Sequence, residues 1–221
     1  EVSLDALHFS ASNASFVYHA TAMVLAIAPS VGPTQGGTNV SLTGRGLLQG
    51  STCSFGGYAA LRAIWVSQFE VVCVTPPRPS GLHALMLTSS ALETEGRAAA
   101  TFAYLPPIEP VHVEPLLGPI AGGTVIRITG GRFPPGPQLL CRIGRGTPVA
   151  ARWLSATHVA CVTRPHPPGL AVVGVTGNGQ DYSEGVARFE YVAAAAVLAL
   201  SPRHGPVGGG TLVALRGGPF S

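Results

Sequence analysis

Four cysteines are the residues with the most reactive chemistry to offer. They fall as two pairs, Cys53 with Cys73 and Cys141 with Cys161, each pair 20 residues apart. Metal or thiol–disulfide chemistry would call for a Cys-x-x-Cys or for histidines at ligand spacing, and the chain has neither. One disulfide per pair is therefore expected, in an oxidising compartment; four buried free thiols are the alternative. Closing a loop of that size is worth about 3 kcal/mol on the chain-entropy account. Catalysis needs an acid, a base or a nucleophile converging on one place. None of the seven histidines or ten carboxylates recurs at a fixed place. His83 sits in an alternating segment, His158 opens one, and His166 lies in the turn Arg164–Gly169, so all three read as surface or turn residues. Asp181 and Glu184, like Glu93 and Glu95, read as solvated hairpin carboxylates rather than a weak Ca²⁺ site. No catalytic residue, metal or cofactor is expected. Asn13-Ala14-Ser15 and Asn39-Val40-Ser41 are N-glycosylation sequons.

The elements that carry these residues are set by an internal repeat. The stretch EPLLGPIAGGTVIRITGGRF (114–133) has counterparts in APSVGPTQGGTNVSLTGRGL (28–47) and SPRHGPVGGGTLVALRGGPF (201–220). Each has a Pro, a Gly-Pro, a Gly-Gly-Thr, an alternating segment and a Gly turn. The repeat-defining glycines are Gly36 and Gly37, Gly122 and Gly123, and Gly209 and Gly210. No Lys-Ser/Thr and no helix follows these turns, so they are not phosphate loops. Trp65 and Trp153 stand 88 apart, as do Cys53 and Cys141 and also Cys73 and Cys161. Both tryptophans recur at a core-like position. Phe-x-Tyr closes each unit, at Phe16/Tyr18, Phe102/Tyr104 and Phe189/Tyr191.

With 29 Gly and 20 Pro in 221 residues and only 10% charged residues, short strands and frequent turns are expected. The net charge is +3, and arginines such as Arg45, Arg62, Arg78, Arg132 and Arg145 are scattered through turns as solvated surface, so nucleic acid is not an expected partner. No apolar run is long enough to span a membrane.

The first whole unit should carry strands at 25–29, 39–44, 53–55, 63–66, 70–75 and 81–87 and a closing strand at Phe102, with Pro29 and Pro33 breaking the ladder near its start. The second should carry them at 125–128, 140–143, 151–154, 158–163, 171–176 and 187–191. About seven strands per unit, with turn signals every 8 to 12 residues, predict a two-sheet sandwich. The organisation expected is the end of a preceding unit at 1–20, whole units at 21–105 and 106–192, and the start of a further unit at 193–221. The Pro-containing joint at 104–108 favours a stiff, extended connection and a rod-like array.

The P-x-x-G-P-x-x-G-G-T turn, the cysteine of Val71–Pro77 (VVCVTPP) or Val159–Pro165 (VACVTRP), and the closing F-x-Y resemble the IPT/TIG family, the immunoglobulin-like fold shared by plexins and transcription factors. The resemblance covers nearly the whole chain. It implies all-β, tandem immunoglobulin-like β-sandwiches, and its paired cysteines match the extracellular branch.

The partial units at the two ends expose strands that need a cover, through Phe16 and Tyr18 at one end and Leu212 and Phe220 at the other. Copies of the chain could complete each other head to tail, or further IPT/TIG repeats of the same chain could do so. The leading expectation is a non-enzymatic extracellular structural protein, a rod or glycosylated filament at a cell surface or in the matrix. The alternative is a ligand-binding or stalk segment of a cell-surface receptor ectodomain.

Overall fold

The computed structural model describes residues 22–57, 61–89, 98–183, 185–194 and 196–218, together with Ser3 and Leu7. The expectations placed on Asn13, Phe16, Tyr18, Glu93, Glu95, Glu184 and Phe220 fall outside the described residues.

Every regular element among the described residues is a β-strand. The first sandwich comprises β1 (Met23–Ala28), β2 (Val31–Pro33), β3 (Asn39–Arg45), β4 (Ser51–Phe55), β5 (Leu61–Arg62), β6 (Ile64–Ser67), β7 (Glu70–Val74), β8 (Gly81–Ser89) and β9 (Ala98–Leu105). Its sheets run β1-β3-β7-β6 and β2-β9-β8-β4-β5. The second comprises β10 (Glu109–Glu114), β11 (Leu117–Pro119), β12 (Val125–Gly131), β13 (Leu140–Ile143), β14 (Val149–Ala150), β15 (Arg152–Ser155), β16 (His158–Val162), β17 (Gly169–Thr176) and β18 (Arg188–Val192). Its sheets, β10-β12-β16-β15 and β11-β18-β17-β13-β14, repeat the first topology strand for strand. The fold is a tandem of immunoglobulin-like sandwiches.

Alternation dictates which face each strand buries. In β3, Val40 and Leu42 are buried while Asn39 and Thr43 face solvent. In β12, Ile126 and Ile128 are buried while Val125 and Arg127 face out. The second core gathers Val113, Ile126, Ile128, Phe133, Val159, Val173, Val175 and Phe189 around the Cys141–Cys161 disulfide. That bond joins β13 of one sheet to β16 of the other. Cys53–Cys73 likewise joins β4 to β7. The Cα–Cα distances, 6.1 and 6.4 Å, lie within the span of such a bond.

The Gly-Pro turn differs from expectation. Val31–Pro33 is a strand, paired in parallel with β9 through Val31↔Ala103, Gly32↔Tyr104 and Pro33↔Leu105. Leu117–Pro119 pairs the same way with β18. Both lie at the edge of a five-stranded sheet, where a proline leaves no ladder bond unmade. Gly32 is required there, because a Cβ would meet the Thr38 hydroxyl and come within 2.8 Å of the Phe102 ring.

A last hairpin pairs β19 (Ala196–Ser201) with β20 (Ala214–Gly218). Its register is that of β10 with β12 moved along by 87 residues: Leu200 faces Leu215 where Val113 faces Ile128. Val113 and Ile128 are buried, and Leu200 and Leu215 are exposed. Leu212, expected at an assembly end, is also exposed.

Candidate functional site

The Gly-Gly-Thr turns are clamps. Gly37 N–H donates to the Thr75 carbonyl at 2.8 Å, Thr75 N–H to the Thr38 carbonyl at 2.9 Å, and Thr38 N–H to Thr75 Oγ1 at 3.0 Å. The second sandwich repeats all three bonds: Gly123 to Thr163 at 2.8 Å, Thr163 to Thr124 at 2.9 Å, and Thr124 to Thr163 Oγ1 at 3.0 Å. The threonine after each second cysteine is thus the partner that the turn requires. Gly36 and Gly122 have φ of 73° and 75°, and a Cβ on either would strike the backbone after that threonine. In the last hairpin Gly209 and Gly210 hold the same positive φ, and Gly209 N–H donates to the Pro206 carbonyl as Gly122 N–H does to Pro119. The turn geometry is therefore local to the motif.

Above each clamp stands the closing tyrosine. Tyr104 and Tyr191 are buried, each with a phenylalanine ring edge-on at about 5 Å, Phe102 and Phe189. Burial pushes the Tyr104 phenol up to about 12, against opposing pulls from the Thr75 hydroxyl and the Arg78 guanidinium. Burial also raises Tyr191, against the Thr163 hydroxyl. A histidine lies on each tyrosine from a different place in the repeat. His83 meets Tyr104 edge-on at 5.1 Å, and His166 stacks on Tyr191 at 4.6 Å. Arg78 and His166 occupy the same station, 88 residues apart, and their N–H groups donate to the Thr34 and Ile120 carbonyls at 2.9 and 3.0 Å. Arg78 is thus half-buried beside Tyr104 rather than solvated surface. No spacing in the sequence signals this convergence, since the two histidines reach equivalent rings from β8 and from the turn before β17.

The tryptophans are not core residues. Trp65 and Trp153 are 44% and 42% exposed. Each indole N–H donates to a carbonyl near the start of its unit, Leu47 at 3.2 Å and Phe133 at 3.0 Å. Their recurrence reflects that bond: an indole needs a partner for its N–H, and the sheet edge leaves half the ring in solvent.

On the solvent side of β1-β3-β7-β6, Asn39 is exposed and stands directly opposite Val74. Ser41 Oγ donates to Glu70 Oε1 at 2.6 Å. The counterpart face of the second sandwich places Val125 opposite Val162, both exposed, with Arg127 and Arg152 flanking Ala160. In the turn between β17 and β18, Asn178 Oδ1 accepts from Gln180 and Asp181 N–H at 3.0 and 2.9 Å, and its amide donates to Asp181 Oδ2 at 2.7 Å. The Asp181 carboxylate is thereby used in fixing a turn. Beside that turn Tyr182 lies over Arg142, 3.9 Å from guanidinium carbon to ring centre, and burial raises its phenol.

The IPT/TIG domain profile matches residues 22–104 and 110–191. Human Plexin-B3 is 27% identical over 202 residues, spanning 87% of this chain and 10% of its own length. Mouse Plexin-A2 is 32% identical over 116 residues, 48% of this chain and 6% of its own length. Mouse Fibrocystin-L is 30% identical over 175 residues, 77% of this chain and 4% of its own length. The chain thus spans a tenth or less of these relatives. Among solved structures, the plexin A4 full extracellular region superposes with a TM-score of 0.57 at 20% identity, covering 95% of this chain and 19% of that one. Two disulfides together with relatives of this kind give the chain an extracellular or cell-surface location.

Proposed function

The chain belongs to the IPT/TIG domain family, and from that premise we propose that it is a non-enzymatic stalk segment of a cell-surface receptor ectodomain. The observation that carries this reading is the repetition itself. Two whole sandwiches share one topology, one clamp and one inter-sheet disulfide, and the similarity to Plexin-B3 runs through both. Units built alike and stapled alike suit a spacer that holds other parts of a receptor away from the membrane. Further IPT/TIG repeats of the same chain would cover the exposed apolar side of the β19–β20 hairpin, as the facing sheet covers β10 and β12.

The second reading is a filament in which copies of the chain associate head to tail. Electron microscopy and analytical ultracentrifugation of the intact parent protein separate the two. Discrete particles whose mass does not change with concentration are expected. Filaments that grow with concentration would replace the stalk reading with the structural polymer.

A further inference from the structure

We infer that Asn39 carries an N-linked oligosaccharide that lies over the apolar outer face of the first sandwich. Asn39-Val40-Ser41 is the acceptor sequence, and it opens β3. Strand alternation turns Val40 into the core and leaves Asn39 on the solvent side. The pairing of β3 with β1 begins only at Ser41↔Ala28, because the chain after Ala28 crosses to the other sheet as β2. Among the described residues Asn39 therefore has a strand beside it on one side only, β7.

The surface within reach is apolar. Val74 stands directly opposite Asn39 and is 39% exposed. Val72 is diagonal to it, and Ile64, paired with Val72 on the edge strand β6, is 57% exposed. A chain of sugars, whose ring faces are apolar and whose rims are hydroxylated, can cover such a strip and present water with a polar outside. It would also stand beside the open edge at β6, where Ile64, Trp65 and Val66 are all exposed and another strand could add. The second sandwich has Val125 at the corresponding place and no acceptor there.

The transfer is balanced with one co-reactant, a lipid-diphosphate-linked oligosaccharide of the secretory pathway. Asn39 Nδ2 bonds to the anomeric carbon as the carbon–oxygen bond to the diphosphate breaks. The amide gives up one proton, and the lipid diphosphate leaves with the bonding pair.

The test uses the parent protein purified from the secretory pathway. A peptide-N-glycosidase acting in ¹⁸O-labelled water turns a glycosylated asparagine into labelled aspartate, read by peptide mass spectrometry. Label at Asn39, lost in Asn39→Gln, is expected; an unlabelled Asn39 overturns the proposal. Enzymatic removal of the sugar from the folded protein keeps the test independent of whether the variant is secreted. Removal should raise binding of an apolar-surface dye and promote self-association, and Val74→Ser should suppress both gains. Labelled Asn39 with dye binding and sedimentation unchanged on sugar removal overturns the covering role.

Discussion

Gly122 faces the carbonyl of Arg164 so closely that a Cβ on the glycine would stand 2.5 Å from that carbonyl carbon. Its neighbour Gly123 has a similar positive φ but open space around its missing Cβ. The two positions separate backbone strain from collision. Gly123→Ala should cost about 1–2 kcal/mol, the strain of a left-handed alanine. Gly122→Ala adds a clash with rigid backbone and should cost about 3 kcal/mol or more. Urea unfolding of the two variants checks the order, and equal losses would contradict the clamp geometry.

Removing the staple of the second sandwich tests how far that unit depends on it. Replacing Cys141 and Cys161 together by alanine should lower stability by about 3 kcal/mol. Calorimetry under non-reducing conditions reads the loss. Reduction of the unmodified protein should lower the transition in the same direction.

The buried tyrosine sets an alkaline limit. Tyr104 titrates near 12 in the folded chain and near 10 when unfolded. Both states hold the proton below pH 10, so this group's contribution is whole there. Between about pH 10 and 12 the unfolded chain ionises first, and stability falls as pH rises. Tyr104→Phe should flatten that part of the stability profile. Phenolate absorbance during an alkaline titration should show a late-titrating tyrosine that joins the others on unfolding.

The exposed half of each indole is directly measurable. Acrylamide should quench the fluorescence of Trp65 and Trp153 in the native protein well beyond the level of a core tryptophan. Trp153→Phe should cost about 1–2 kcal/mol, since it leaves the Phe133 carbonyl without its indole donor. A phenylalanine that matched the parent stability would show that the indole bond contributes nothing.

Much of this architecture was legible in the residue order. Strands form where the alternating segments 39–44 and 125–128 led one to expect them, with Val40, Leu42, Ile126 and Ile128 on the inward faces, and the strand at Leu140–Ile143 appears with the bounds expected. The cysteine spacing pointed to the two inter-sheet bonds. The strand at Val31–Pro33 was hidden because proline is read as a ladder breaker, and only the sheet order shows that its place is an edge. The tryptophans misled because recurrence alone does not distinguish a core ring from a ring held by its N–H. Arg78, His83 and His166 gave no signal, since side chains from different stations of the repeat converge on the closing tyrosine only once the sheets are packed.

In each sandwich a short strand near the start of the unit runs parallel to the closing strand, β2 beside β9 and β11 beside β18. Tension drawn through the backbone from one end of a unit to the other would slide those neighbours lengthwise past each other. Their hydrogen bonds would then share the load together instead of opening one at a time. Were that pairing to yield, the covalent loop between each cysteine pair would stay closed, so those 20-residue spans would add nothing to the length released. A unit of this design resists being drawn out, and gives only a shortened extension when it fails.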